Sequence, residues 1–375
     1  MATDAMAAAP AAGIRFTVAS RPQRRFANAQ TVSNTGATSM QPIPLPATGY
    51  VRRVSVFFEA EVKGTTLAKV AGDAPFNLIS GISLTDATGQ SIMQTISGYN
   101  LYLVNKYFPG SMDNYPFTDP RYGPEFAYGV TGGTTGTAVF RLDIDLEQDA
   151  DTGYGCIPNL DANASLQLRI DLAPASVAFG GTITSSTVSV RVEQHYWAPV
   201  PATTGGVPNM TVPTGFGDYI ETRYETQTVS GNSENTVAAT NRGGLIRGVI
   251  LVSRNGGART DFVPRSNVGL VYDNNAVDEG VSLESHKDLI RRGTGYVGPE
   301  NGTDLGAGLD GLPGLDRGVL VFDFSRMGGG RDTWLSTRVG TLLQFKVTPA
   351  SGASQLELIT SIAQVKDAAA FYARD

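Results

Sequence analysis

The residues that could perform chemistry are few and far apart in the sequence. The chain has two histidines, His195 and His286, and one cysteine, Cys156. The metal site of an enzymatic β-sandwich needs a cluster of histidine and carboxylate ligands, and the sequence contains no His-x-His pair. Cys156 has no histidine near it in sequence, so we expect a buried thiol rather than a nucleophile. We therefore predict no catalytic, cofactor-binding or metal residues and no enzymatic activity.

Two further patterns imitate functional motifs. Residues 306–311 read G-x-G-x-x-G, but a dinucleotide site needs this motif between a strand and a helix, and here Pro313 follows in a glycine-rich stretch. We interpret it as a loop. An acidic series could attract calcium, which prefers several oxygens at short range, but it lacks the glycine of an EF-hand. Alternation along a strand instead favours a solvated face for its first three members; the series is Asp143, Asp145, Glu147, Asp149 and Asp151.

The composition favours an all-β protein. Of the 375 residues, 44 are glycine and 20 are proline, and both types punctuate strands and break helices. The net charge of −6 argues against direct nucleic-acid binding, because phosphate contacts need a basic surface. A single cysteine excludes an internal disulfide framework and fits assembly in a reducing cytoplasm. No apolar run is long enough to span a bilayer, and we interpret the alanine-rich residues 1–13 as a flexible arm.

Apolar periodicity predicts many strands and two short helices. The spacing of Leu101, Val104 and Phe108 predicts a helix over residues 97–108, and Ser282 caps a second one over residues 282–292. Alternation with period two predicts strands over residues 54–62, 140–146, 166–172, 188–192 and 343–347.

The two halves of the chain resemble each other. Four short matches occur in the same order in both halves, and the two predicted helices fall between the second and the third match. Chance similarity between β-rich segments is the alternative explanation. We predict two tandem sandwiches of about eight strands, each with one flanking helix. The matches pair residues 30–33 with 227–230, 50–54 with 245–249, 139–143 with 319–323, and 159–176 with 334–351.

A stretch rich in proline, glycine and threonine separates the halves. It shows no strand pattern, and proline lacks the amide donor that a β-ladder needs. The predicted organisation is an N-terminal arm (1–26), a first sandwich (27–198), a linker (199–217), a second sandwich (218–366) and a C-terminal tail (367–375).

The chain resembles the double jelly-roll major capsid proteins of tectivirus-like phages, a lineage that includes the adenovirus hexon. The residues that carry the resemblance are 76–84 (FNLISGISL), 318–325 (GVLVFDFS) and 334–337 (WLST), and the likeness covers residues 25–366. The resemblance implies an all-β fold of two tandem eight-stranded jelly-roll sandwiches with short flanking helices.

The resemblance also implies a function. The members of this family are viral major capsid proteins whose homotrimers form pseudo-hexagonal capsomers, because three copies of two similar domains present six similar edges. Such capsomers tile an icosahedral shell. The expected partners are other copies of the chain, neighbouring capsomers, and penton and minor capsid proteins. The expected location is the virion, with assembly in the host cytoplasm and no direct contact with nucleic acid.

The resemblance places the N-terminal arm beneath the shell, near an internal membrane. Arg21, Arg24, Arg25 and Phe26 could face such a membrane, since each basic residue near anionic lipid contributes about 1 kcal/mol. The alternative, which we favour, makes residues 14–18 an edge strand that pairs with a neighbouring subunit, and places the arginines in salt bridges there.

A second class of function stays open. An all-β virion spike that binds carbohydrate or a receptor would need exposed aromatic residues in loops. The same residues suit a long loop packed between subunits, which we favour. They are Tyr115, Phe117, Tyr122, Phe126 and Tyr128.

Overall fold

The chain is described by a computed structural model. Several predictions lie outside the described residues: the arm before residue 13, the glycine motif at 306–311, the tail after residue 364, and Tyr115, Phe117, Tyr122 and Tyr128. Phe126 lies in a strand. The described residues are 13–69, 72–86, 88–110, 125–127, 133–163, 165–213, 219–240, 243–294, 316–325, 334–337 and 342–364.

The first sandwich has the strand order of a jelly roll. One sheet runs β1-β11-β4-β8-β7, with β9 also on β4, and the other runs β2-β10-β5-β6, with β3 also on β10. The strands are β1 (Pro22–Ser33), β2 (Thr38–Ser39), β3 (Ile43–Pro44), β4 (Gly49–Lys69), β5 (Ile79–Thr85), β6 (Ser91–Ile96), β7 (Glu125–Ala127), β8 (Gly133–Asp145), β9 (Ile157–Asn159), β10 (Gln167–Leu172) and β11 (Phe179–Trp197).

The second sandwich repeats this order. Its first sheet contains β14-β23-β16-β20 and its second runs β15-β22-β18-β19, which are the counterparts of β1-β11-β4-β8 and β2-β10-β5-β6. The predicted fold class is confirmed. The remaining strands are β12 (Thr203–Thr204), β13 (Val207–Pro208), β14 (Tyr219–Thr228), β15 (Asn235–Ala238), β16 (Leu245–Asn255), β17 (Ala258–Arg259), β18 (Asn267–Tyr272), β19 (Asn275–Ser282), β20 (Val319–Asp323), β21 (Leu335–Ser336), β22 (Leu343–Val347) and β23 (Gln355–Gln364).

Within the described residues the helices are α1 (Phe16–Ala19), α2 (Gly98–Tyr107) and α3 (Leu283–Thr294), and 3-10 turns occur at Phe76–Leu78 and Ala175–Val177. Both predicted helices are confirmed. Helix α2 directly follows β6 and helix α3 directly follows β19, the equivalent edge strands of the two second sheets. The Ser97 hydroxyl accepts a hydrogen bond from the amide of Asn100 at 3.1 Å, and that of Ser282 accepts one from Ser285 at 3.2 Å.

The four sequence matches pair strands that are equivalent in the two sandwiches. They fall at the ends of β1 and β14, at the starts of β4 and β16, in β8 and β20, and around β10 and β22. The internal repeat is therefore structural, since chance similarity would not select equivalent strands four times in order.

The two sandwiches share one sheet, and residues of the second pack into the core of the first, while the second also has a core of its own. β6 pairs in parallel with β14 through Met93 and Thr222, and this joins two sheets into one of eleven strands. Residues on the outer face of β16 and its neighbours, among them Ile250, Val252 and Val319, belong to the core of the first sandwich. β16 is consequently buried on both faces.

Two local predictions are wrong. Residues 14–18 do not form an edge strand: α1 begins at Phe16, whose buried ring packs edge-on against Tyr50 with centroids 5.1 Å apart. The segment 199–217 also contains strands, the hairpin β12–β13. Gly205 and Gly206, with φ of 58° and 83°, supply its two-residue turn.

Candidate functional site

The junction between the sandwiches carries two buried charge clusters. In the first, Lys106 of α2 donates to Asp316, with Nζ 2.5 Å from Oδ1. The Tyr107 hydroxyl donates to the same oxygen at 3.2 Å. Burial, together with the Asp316 charge, raises the pKa of Tyr107 well above its usual value, which keeps the phenol a donor. Because Lys106 and Asp316 come from different sandwiches, the pair fixes one sandwich against the other.

The second cluster holds two arginines of the second sandwich around one carboxylate of the first. Arg254 donates to Asp73 at 2.8 Å and lies 2.7 Å from Glu357, and Arg259 binds the other oxygen of Asp73. Tyr99 lies beneath them, its ring centroid 4.8 Å from the Arg259 guanidinium. Burial opposes the charge on Arg254, but Asp73 and Glu357 outweigh it and raise the pKa of Arg254.

Arg247 of β16 closes the junction at the end of α2. Its guanidinium donates to the carbonyl oxygens of Phe108 at 3.1 Å and Pro109 at 2.9 Å, where the helix leaves its last acceptors unsatisfied. The next residue must be glycine, because a Cβ on Gly248 would lie 2.4 Å from Cζ of Phe108. The backbone of β16 therefore touches the first sandwich directly.

A third buried network lies at the end of the first sandwich near α1. Glu147 Oε2 accepts from Arg52 at 2.8 and 2.5 Å, and its Oε1 accepts from Trp197 Nε1 at 2.5 Å and from Cys156 Sγ at 3.5 Å. The Arg52 guanidinium also stacks 4.2 Å above the Trp197 ring. Every oxygen of this buried carboxylate therefore has donors.

The prediction that Asp143, Asp145 and Glu147 form a solvated face is wrong. Asp143 and Glu147 are buried, Asp145 binds Arg53, and Asp143 lies 2.9 Å from Arg141. The signal that could have revealed this was Arg52-Arg53 in an apolar strand, since β4 pairs with β8 in a register that sets Arg53 opposite Asp145. Among the described residues no group of histidine, cysteine and carboxylate side chains is suited to hold a metal ion.

Cys156 is buried, as predicted. Burial and the neighbouring Glu147 carboxylate raise the pKa of its thiol well above the usual value, so little thiolate forms at neutral pH. His286 is a structural residue, with Nε2 2.7 Å from the Val321 carbonyl oxygen and its ring against Phe322.

His195 gives a pH prediction. Burial and the charges of Arg53 and Arg24 lower its pKa to about 4, against an ordinary value of 6.5. Between these pH values the unfolded chain binds a proton that the folded chain does not, so stability is full above pH 6.5 and falls as the pH drops towards 4. We expect the free energy of unfolding of the wild type, measured by denaturation at several pH values, to fall as the pH drops through this window, relative to that of His195→Gln. Parallel pH profiles would contradict this.

The predicted membrane-facing residues lie at the start of the sheet rather than on a separate arm. Arg24, Arg25 and Phe26 belong to β1 and pair with the end of β11, and Arg21 precedes the strand. All four are exposed. Arg24 lies 3.7 Å from Glu193, and the guanidinium of Arg191 lies 5.5 Å from the Phe26 ring centroid. No helix among the described residues is long and apolar enough to cross a membrane.

The sequence matches no family model and no curated protein sequence. Solved structures do match over both sandwiches. The atomic structure of Sulfolobus turreted icosahedral virus has a chain that is 12% identical, with TM-score 0.62 and coverage of 94% of each chain. The PBCV-1 virus capsid is 10% identical, with TM-score 0.59 and coverage of 92% of this chain and 93% of that one. The fold is a double jelly roll.

The major capsid protein of bacteriophage PM2 is also similar in fold, at 10% identity and TM-score 0.50, covering 91% of this chain and 99% of that one. The resemblance predicted from the sequence is thus confirmed at the level of the fold. The likeness spans the junction as well as each sandwich, so the tandem arrangement itself is what these proteins share.

Proposed function

We propose that the chain is a viral major capsid protein whose homotrimer forms a pseudo-hexagonal capsomer of an icosahedral shell. The observation that carries the proposal is that one jelly roll occurs twice in the chain, and that the two sandwiches are joined by a common sheet and by residues of the second that pack into the core of the first. Three copies of such a unit supply six similar walls, which can tile a surface with one gene product. The similar solved structures, which are capsids and capsid proteins, support it.

The proposal includes a structural role, not a catalytic one, and a location in the virion. Its partners would be other copies of the chain, neighbouring capsomers, and penton and minor capsid proteins. The division at residues 199–217 stays a prediction. The carbohydrate-binding alternative rests on aromatic residues outside the described chain, apart from Phe126, so no described feature favours it.

The mass of the purified protein in solution tests the proposal. We expect light scattering to give three times 39.5 kDa, and electron microscopy to show particles with a six-sided outline. A stable monomer at micromolar concentration, or a trimer without a six-sided outline, would contradict the proposal.

The membrane contact is a finer part of the proposal. Arg21, Arg24, Arg25 and Phe26 offer exposed cationic and aromatic groups, which suit an anionic lipid surface. We expect the wild-type protein to float with phosphatidylserine vesicles in a density gradient, and the variant with Arg21 and Arg25 replaced by glutamate not to float with them. Equal flotation of both proteins would contradict the contact.

A further inference from the structure

We propose that Lys106 and Asp316 form an isopeptide bond, which joins the two sandwiches of the chain covalently. The bond is an amide between Nζ of Lys106 and the side-chain carboxyl carbon of Asp316. It links helix α2 of the first sandwich to the turn that precedes β20 of the second. The inference goes beyond the proposed capsomer and does not depend on it.

The first observation is the burial of the two groups. Lys106 is among the largest fully buried side chains of the described residues, with 1% of its side chain exposed, and the Asp316 side chain is 10% exposed. Lysine is almost never buried to this extent, because its charge loses the solvation of water. Burial therefore favours the neutral amine and the neutral acid more than water does. These neutral forms are the ones that condense to an amide.

The second observation is the position of the lysine nitrogen. Nζ of Lys106 lies 2.5 Å from Oδ1 of Asp316 and also contacts Oδ2. Since both oxygens are bonded to the same carbon, contact with both brings Nζ to about 3 Å from that carbon, the separation of a near-attack arrangement. Folding of the two sandwiches against each other holds the reacting atoms in place, so the reaction is intramolecular.

The third observation is the hydroxyl group of Tyr107, which donates to Oδ1 of Asp316 at 3.2 Å. Burial and the Asp316 charge raise the pKa of Tyr107 well above its usual value, so the phenol keeps its proton at neutral pH. When Nζ adds to the carboxyl carbon, negative charge develops on Oδ1. A hydrogen bond aimed at that oxygen stabilises the charge as an oxyanion hole does.

The reaction is a condensation that releases one water molecule. The lone pair of the neutral amine forms the new N–C bond, and the bond from the carbon to Oδ2 breaks. The departing oxygen keeps the proton of the acid and takes a second proton from the nitrogen, so it leaves as water and no oxidant or reductant is needed. A cleft of about 30 Å³ lined by Tyr107, His286 and Asp316 has room for that water.

The bond closes a long loop of the chain. Lys106 and Asp316 are 210 residues apart in the sequence. A cross-link over a loop of this length restricts the unfolded chain, as a disulfide does. The single cysteine excludes a disulfide within the chain, so an amide supplies a covalent tie that the sequence otherwise lacks.

Mass spectrometry of the purified, denatured full-length protein tests the bond. We expect the intact mass to be lower than that of the sequence by the mass of one water molecule, after allowing for removal of Met1. Fragmentation of a proteolytic digest should give one branched peptide that joins Lys106 to Asp316. On denaturing gels the looped wild-type chain should migrate faster than a linear chain of 39.5 kDa.

Lys106→Arg is the matched variant. It keeps a positive charge and hydrogen-bond donors beside Asp316, but a guanidinium stays protonated and cannot attack the carboxyl carbon. Its mass should equal that of its sequence. Lys287 and Asp261 form a control pair in the same protein, because they are 3.8 Å apart and more exposed. Their peptides should remain linear.

Tyr107→Phe separates assistance by the hydroxyl group from simple proximity. The ring keeps its packing, but the donor to Oδ1 is lost, so the bond should form more slowly by about tenfold or more. Samples taken at successive times after a pulse of synthesis, and weighed by mass spectrometry, measure this rate.

A wild-type mass equal to that of the sequence would overturn the inference. A loss of water that persists in Lys106→Arg would also overturn it, because the loss would then arise elsewhere in the chain. Neither result bears on the mass of the oligomer, so the proposed capsomer is tested separately.

Discussion

Replacing Glu147 by leucine is expected to lower the free energy of unfolding by about 3–5 kcal/mol. The substitution leaves the Arg52 guanidinium buried without its counter-charge, and it removes the acceptor of the Trp197 indole and the Cys156 thiol. A buried charge that loses its partner keeps its full desolvation cost, which is why one-sided removal is so damaging. Urea denaturation of the purified variant measures the effect.

The matched control is Glu61→Leu, on the exposed side of β4 in the same sheet, which should change stability by about 0.5 kcal/mol or less. A double variant, Arg52→Met with Glu147→Leu, should recover much of the loss because both charges are gone. If Glu147→Leu and Glu61→Leu behaved alike, the network would not be the stabilising element that its geometry indicates.

The fold was accessible from the sequence because burial on one side of a strand leaves a period-two pattern. Leu168, Ile170 and Leu172 follow that pattern, and all three are buried in β10. The helices were accessible for a similar reason, since Ser97 and Ser282 cap them and their apolar residues recur at helical spacing. Because the weak matches occur in the same order in both halves of the chain, together they indicated a repeat.

The charge networks could not be predicted from the sequence, for a physical reason. Alternation shows on which side of a strand a residue lies, but not whether that side is covered. Asp143 faces away from the core of its own sandwich and is nevertheless buried, next to Arg53 and Arg141. The junction was hidden for the same reason, because Asp73 meets Arg254 and Arg259 only after two sandwiches have docked.

Apolar contacts and ion pairs have different roles at the junction. Apolar contacts around Ile250 and Val252 favour association of the sandwiches without fixing their angle, because the hydrophobic effect is non-directional. Ion pairs require a particular geometry, so Lys106 with Asp316 and Asp73 with its two arginines select one arrangement. The proposed capsomer needs that selection, because an error in the angle between the two sandwiches of one chain would be repeated in all three copies.

The second large effect is therefore expected at Asp73. Asp73→Ala removes the carboxylate that Arg254 and Arg259 share in a buried junction, and should cost about 3–5 kcal/mol. The control Asp288→Ala removes an exposed pair with Arg292 on α3 and should cost about 0.5 kcal/mol or less. Both are measured by guanidinium denaturation.

The shape of the transition carries further information. If the cluster at Asp73 couples the sandwiches, Asp73→Ala should turn one cooperative transition into two, because each sandwich would then unfold with its own stability. Adding Arg259→Met removes one of the two arginine charges that Asp73 balances, and should restore part of the lost stability. A single unshifted transition in Asp73→Ala would mean that apolar contact alone holds the sandwiches together, and the charges would then have no role in fixing their angle.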